Sequence, residues 1–235
     1  MSWQAHLISG LPDLFPGPLA ASLAGRALKD GLWALETHDL RDFGHGKHKN
    51  IDDTPAGGGV GMVLRADVAA AALDHVTKTH DLPVILPSPR GVPFTQALAQ
   101  DLAAGDGAIF FCNRFEGIDE RFIEARRPLE VSLGDYILSG GEMAALTMLD
   151  AIIRLLPGVM GKAESGTDES FSKTNDGLLE YPHYTRPQEW EGRAIPDIVT
   201  SGDHEKLAAW RRAQSQALTK ARRPDLWAAS KPPKK

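Results

Sequence analysis

Residues Glu130–Pro157 read EVSLGDYILSGGEMAALTMLDAIIRLLP, and this stretch decides the fold. Four strand-like residues, Glu130-Val131-Ser132-Leu133, open it. A glycine turn follows at Gly134-Asp135, and a second apolar piece, Tyr136-Ile137-Leu138, runs into Ser139-Gly140-Gly141. From Glu142 to about Leu156 the apolar residues recur at helical spacing, and Pro157-Gly158 stops the helix. Glycine lets backbone approach a ligand closely, and a helix N-terminus offers N–H groups to the same ligand. The stretch therefore predicts a small-molecule pocket lined by backbone.

Upstream the same alternation repeats. Trp3 to Ser9 and Leu32 to Thr37 read as strands, with a helical spacing over Pro18 to Asp30 between them. The polar stretch His38 to Pro55 and the glycines Gly57-Gly58-Gly59-Val60-Gly61 lack periodicity and predict a functional or mobile loop. A short strand is expected over Gly61 to Leu64, then a helix through Thr79 capped by Asp67. Leu82 to Leu86 is a strand ended by the loop Pro87-Ser88-Pro89-Arg90-Gly91, and Thr95 to Ala104 is helical. Gly107 to Cys112 (GAIFFC) is apolar throughout, as strands of a buried parallel sheet are. Asn113-Arg114-Phe115-Glu116-Gly117 leaves it, followed by a helix from Ile118 to about Arg126. Strands alternating with helices imply an α/β fold with a mainly parallel sheet. Three loops, Pro87–Gly91, Asn113–Gly117 and Gly134–Gly141, leave the C-terminal ends of predicted strands, where open α/β sheets bind ligands.

Downstream, residues 158–175 (GVMGKAESGTDESFSKTN) are polar and aperiodic and read as an interdomain linker. A turn-like aromatic segment follows, then a helix over about Asp203 to Arg222, with Leu207 and Trp210 on its apolar face. The terminal Ser-Lys-Pro-Pro-Lys-Lys reads as disordered. The predicted organisation is a domain over 1–160, a linker over 161–175 and a small, mostly helical domain over 176–235.

Composition narrows the function. Length 235 leaves ample room for a core, and no apolar run approaches a membrane span. Without a signal peptide and with one cysteine, Cys112, the chain reads as cytoplasmic and holds no internal disulfide. The net charge of −5 is uneven: from Asp176 onward 11 Lys/Arg outnumber 8 Asp/Glu. A nucleic-acid partner would therefore meet the C-terminal part.

Standard motifs are missing. The glycines at 57–61 do not spell G-x-G-x-x-G, and Gly46-Lys47 is followed by His48 rather than Ser or Thr, so dinucleotide and P-loop readings fail. No G-x-S-x-G is present. His45 and His48 lack a third ligand nearby, and no metal-binding residue is assigned. Glu116 reads equally as a helix-start acid or a site residue beside Arg114. Spacing alone makes Arg154 the i,i+4 partner of Asp150, and leaves Asp168 and Glu169 as solvated linker acids.

Three ordered motifs alter these readings: CNRFEGIDER from Cys112, SLGDYILSGGE from Ser132 and LLEYPHYTRP from Leu178. With Asp52-Asp53-Thr54-Pro55, Gly57-Gly58-Gly59, Ser88-Pro89-Arg90-Gly91 and Arg193–Arg211, they make the chain resemble the bacterial tRNA (guanine-N1)-methyltransferases from Trp3 to about Arg223. That family is of the SPOUT class, with a deep trefoil knot. The resemblance implies a homodimeric enzyme that moves a methyl group from S-adenosylmethionine to N1 of the guanosine at tRNA position 37, just 3′ of the anticodon, when another guanosine precedes it. It further implies that magnesium supports the reaction and that the linker orders on tRNA binding. Other readings are a methyltransferase of the same class acting on another RNA, and a non-catalytic RNA-binding module.

Carried over by motif, the cofactor would lie against Pro89, Asn113, Leu133, Gly134, Asp135, Tyr136, Ile137, Leu138, Gly140 and Gly141. Glu116, Tyr184 and Arg186 would contact the tRNA. Arg154 would meet guanine O6, and Glu169 would be the general base, with Asp168 as second choice. These types suit the reaction. Guanine N1 carries a proton at neutral pH, so a carboxylate must take it as the methyl arrives. Charge then develops toward O6, where a guanidinium stabilises it. The chain departs from its family's pattern at three sites. Glu169 stands in place of Asp, Asn113 in place of a glycine, and Ala56 in place of an aromatic residue.

Overall fold

The computed structural model describes residues 2–161 and 169–230. The chain divides into two compact units, Met1–Gly161 and Lys162–Lys235. Asp168 and the tail Lys231–Lys235 fall outside the described residues.

The first unit is built on a five-stranded sheet. Its strands are β1 (Trp3–Ser9), β2 (Trp33–Asp39), β5 (Val84–Pro93), β6 (Gly107–Phe111) and β7 (Leu129–Ser132), in the order β2-β1-β6-β5-β7. Every pairing in it is parallel. Helices α1 (Ser22–Lys29), α3 (Gln96–Ala103) and α5 (Gly141–Ile153) cover one face, while α2 (Ala66–Thr77) and α4 (Glu120–Arg126) cover the other.

Period-two alternation divides the apolar strand residues between these faces. In β6, Ala108 and Phe110 join the core under α1, α3 and α5, whereas Ile109 and Phe111 join the core under α2 and α4. That is why GAIFFC is apolar throughout: the strand has no solvent face. Two buried indoles tie helices to the sheet. Trp3 Nε1 donates to the Leu102 carbonyl at 3.1 Å, and Trp33 Nε1 to that of Ala24 at 2.9 Å.

Three local expectations are corrected. The polar stretch after His38 is not a bare loop: a 3-10 turn at Leu40–Phe43 leads to β3 (Asp52–Asp53), which pairs antiparallel with β4 (Val63–Leu64), a strand expected within Gly61–Leu64. Asp67 lies inside the first turn of α2, where its carboxylate pairs with Arg65 and His45 instead of capping the helix. The loop predicted at Pro87–Gly91 lies within β5, which leaves register with β7 after Pro87 and regains it at Val92. The prolines cannot donate to the ladder, so the strand bulges there.

The second unit holds a two-stranded ribbon, β8 (Glu189–Trp190) with β9 (Arg193–Ala194), followed by α6 (Asp197–Thr200), α7 (His204–Arg222) and α8 (Pro224–Ala229). Asp203 caps α7 through the Lys206 N–H. The buried positions of α7 are Ser215 and Thr219; Leu207 and Trp210, expected as its apolar face, are only partly buried. Ser215 Oγ donates to the Leu179 carbonyl at 2.6 Å, and Thr219 Oγ1 accepts the Leu179 N–H at 2.9 Å. Residues 175–179 are thus stitched to α7 by hydrogen bonds, which hydrophobic periodicity does not register. Thr219→Val strands the Leu179 N–H. It should destabilise this unit by about 1–2 kcal/mol, read as faster amide exchange at Leu179 with protection at Phe110 unchanged.

Candidate active site

The C-terminal ends of β6, β5 and β7, adjacent in the sheet, open onto a cleft of about 620 Å³. Its walls are the β5 bulge, the segment after β6 and the loop from β7 into α5. Pro89, Asn113, Leu133, Gly134, Tyr136, Ile137, Leu138, Gly140, Gly141 and Glu116 all line it. Asp135 belongs to the same loop but is not part of the lining. Tyr136, Ile137 and Leu138 do not form a second strand piece; they make an apolar lip whose most open member, Ile137, is 82% exposed.

The loop is held by a carboxylate that sequence reasoning did not single out. Glu142, in the first turn of α5, is 1% exposed. It accepts from Ser9 Oγ at 2.8 Å and from Arg114 Nε at 3.0 Å. The signal was present in the sequence, since an acid so early in an apolar helix can serve its N-terminus, but burial reversed that meaning. Gly140 has no room for a side chain, because a Cβ there would lie 2.5 Å from Glu142 Oε2. The helix N-terminus is also less open than expected: the Gly141 N–H donates to the Asn113 carbonyl at 2.8 Å.

Asn113 does not adopt the left-handed backbone that a glycine at its position would permit. Phe115, two residues on, does, at φ 66°, and its ring is exposed on the cleft wall. A bulky residue in that region is strained, and such strain clusters at functional sites. Glu116 projects from the same turn against Gly61, whose Cβ would lie 2.5 Å from its Oε1. The Glu116 N–H donates to the Met62 carbonyl, so the glycine hairpin between β3 and β4 backs this acid.

Charges at the cleft are paired. Arg90 meets Glu120 at 3.0 Å and Glu130 at 3.5 Å, and both carboxylates raise its pKa. Burial pushes the Cys112 thiol well above its usual range, with Glu142 adding to the shift, so it stays protonated and unreactive at neutral pH.

The remaining expected residues lie elsewhere. Arg154 is the C-cap of α5, with Nη2 3.3 Å from Met160 Sδ. The cleft meets the other end of that helix, about 20 Å away for 13 residues. Within one chain, therefore, Arg154 is not part of the cleft. Glu169 is half-buried in the second unit, its carbonyl accepting the Ser172 N–H. Tyr184 and Arg186 are exposed there, Tyr184 with its ring 6.2 Å from that of Trp210. Nearby in sequence, Arg211 lies 4.6 Å over Tyr181, and Trp190 is exposed beneath Arg193.

An open parallel sheet with a glycine-lined cleft at its C-terminal edge defines an α/β ligand-binding protein of the doubly covered kind. The chain belongs to the tRNA (Guanine-1)-methyltransferase TrmD family, whose profile matches residues 4–229, and so to the SPOUT class. It is 62% identical over 97% of its length to the tRNA (guanine-N(1)-)-methyltransferase of Rhodopseudomonas palustris strain TIE-1, spanning 91% of that protein. To the proteins of the same name from Nitrobacter hamburgensis and Sphingopyxis alaskensis it is 60% identical, over 99% and 97% of the chain and 98% and 92% of theirs.

Removing one partner from a buried ion pair strands the other. Glu142→Leu should therefore lower the stability of the first unit by about 3 kcal/mol in urea unfolding. Glu142→Gln keeps an acceptor for Ser9 and should cost markedly less. Equal losses would show that packing alone, not the acceptor, matters at this position.

Proposed function

We propose that the protein methylates N1 of the guanosine at tRNA position 37, using S-adenosylmethionine, in tRNAs with a guanosine before it. The observation that carries this reading is the cleft itself. Its volume is that of a small-molecule site. Its lip is apolar, and the glycine loop presents backbone polar groups as a purine nucleoside requires. When bound, the donor supplies an electrophilic methyl on a sulfonium.

The protein's residues supply positioning and proton transfer. The loop Leu133–Gly140, tied down through Glu142, fixes the donor's orientation. Glu116, standing at the cleft on the strained turn after β6, contacts the acceptor base. Glu169 takes the N1 proton, and Arg154 stabilises the charge that develops at O6. Exposed Tyr184 and Arg186, beside the cation-stacked aromatics of the second unit, offer the stacking and phosphate contacts single-stranded RNA needs.

Arg154 stands a helix length from its own chain's cleft, which supports a homodimer in which each site takes its guanidinium from the partner. The exposed stripe Met143, Thr147 and Asp150 on α5 suits such a contact. We assign residues 1–160 to a knotted donor-binding domain, 161–175 to a linker and 176–235 to a tRNA-binding domain. No helix among the described residues is long and apolar enough to cross a membrane, and we place the enzyme in the cytoplasm. Magnesium is retained as a supporting ion, with no residue of this chain assigned to it.

The test is methyl transfer to unmodified tRNA, with the product position mapped. Methylation at guanosine N1 of position 37, lost when that base is changed, is the expected result; modification elsewhere rejects the reading. Glu169→Gln should lower turnover at least about 100-fold while calorimetric donor binding persists. Full activity in that variant, with loss in Asp168→Asn, moves the base one residue. Arg154→Ala should lower turnover by about 100-fold or more with little change in donor affinity; equal loss of both would mark it as structural.

A further inference from the structure

On the sheet face covered by α2, a second group of side chains converges. His6 of β1 is 1% exposed. Parallel register sets it beside Glu36 of β2, and the two-residue repeat brings His38 to the same face. His6 Nδ1 lies 3.2 Å from His38 Nε2 and 3.6 Å from Glu36 Oε2, and His38 Nε2 lies 3.9 Å from Glu36 Oε1. The two carboxylate distances are too long for hydrogen bonds. Four ligands at zinc's bond lengths of about 2.0–2.1 Å lie about 3.3–3.4 Å apart in a tetrahedron. The spacing of the two imidazole nitrogens is close to that edge length, and the carboxylate spacings, each to a different oxygen of Glu36, are somewhat longer.

Further imidazoles close the group from the end of α2. The His80 ring lies 4.0 Å from that of His6, and the His75 ring 6.3 Å from that of His38. Without an ion the arrangement is poorly satisfied. His6 Nδ1 and His38 Nε2 share one proton, and Glu36 stands just beyond hydrogen-bond reach of both.

We propose that His6 Nδ1, His38 Nε2 and the Glu36 carboxylate hold one zinc ion that clamps edge strand β2 to β1 under the end of α2. Two nitrogens and one oxygen suit zinc and its transition-metal neighbours, whereas magnesium prefers six oxygens. The site is therefore separate from any magnesium that supports tRNA methylation. His80 or water completes the tetrahedron. Glu36 is 61% exposed, which leaves the ion a path in from solvent.

The test uses the full chain, without a histidine tag, stripped by a chelator and titrated with Zn²⁺ by calorimetry and with Co²⁺ by visible absorption. One ion per chain is expected, with the intense d–d bands of four-coordinate cobalt and a rise in melting temperature on adding Zn²⁺. Glu36→Gln and His38→Asn should each weaken binding at least tenfold and abolish that rise, while His48→Ala leaves both intact. Absence of the cobalt bands in the unmodified chain overturns the proposal and requires no variant to fold. So does zinc affinity unchanged in Glu36→Gln and His38→Asn.

Discussion

The cleft depends on one buried carboxylate. Glu142 sits where three segments meet: the end of β1 at Ser9, the loop after β6 at Arg114, and the first turn of α5. Removing a carboxylate from water costs several kcal/mol unless partners replace the lost hydration. The guanidinium and hydroxyl satisfy its Oε1 only if all three segments come together. Their meeting fixes the exit of the loop Leu133–Gly140, whose entry is already fixed by the pairing of β7 with β5. A glycine-rich chain anchored at both ends loses much of its freedom before any ligand arrives, so ordering it on binding costs less. Side chains at the junction thereby make a backbone-lined pocket rigid enough to discriminate.

That division of labour explains which parts of the fold were legible. Gly107–Cys112 was read almost to the residue because it is an apolar run, as burial on both sheet faces demands, and Trp3–Ser9 was read to the residue although Gln4 and His6 interrupt its apolar positions. The three segments that wall the cleft were also located, though one of them is a strand bulge and not a loop, since parallel strands must deliver their C-terminal ends to one edge. Pro87–Gly91 shows where local reading fails. Two prolines and a glycine announce a turn, yet β5 resumes at Val92 because β7 on its flank continues to pair. Ser215 and Thr219 show a second kind of failure. They are buried through hydrogen bonds to the 175–179 segment, and a hydrophobic pattern carries no record of such partners. His6, Glu36 and His38 show a third: only the register of two parallel strands brings them together, and no local spacing encodes a register.

Glu142 and Glu116 look alike in the sequence. Both are acids near the start of a helix, and for both the dipole offers a sufficient local account. What separates them is surroundings. Glu142 turns inward to a guanidinium and a hydroxyl, and Glu116 stands outward on the cleft, pressed against a glycine that cannot be enlarged. The strained backbone of Phe115 between Arg114 and Glu116 sends these neighbours in different directions, Arg114 to the buried Glu142 and Glu116 to the cleft.

The α5 helix then sets the terms of the proposed reaction. Its N-terminus closes the donor loop, and its C-cap carries the guanidinium that stabilises charge on the acceptor base. A straight helix cannot bring its two ends to one point. If both act on the same guanine, they belong to different copies of the chain, related so that the end of one α5 faces the start of the other. Donor binding, which needs only the loop, is then separable from catalysis, which needs the pair. Placing the base at Glu169, a few residues before the segment stitched to α7, would add a third component from the unit that would meet the tRNA. The longer glutamate arm has more rotamer freedom than aspartate, so its geometry is fixed only by what surrounds it. In the proposed reaction the matching tRNA would complete those surroundings, and a mismatched RNA would not.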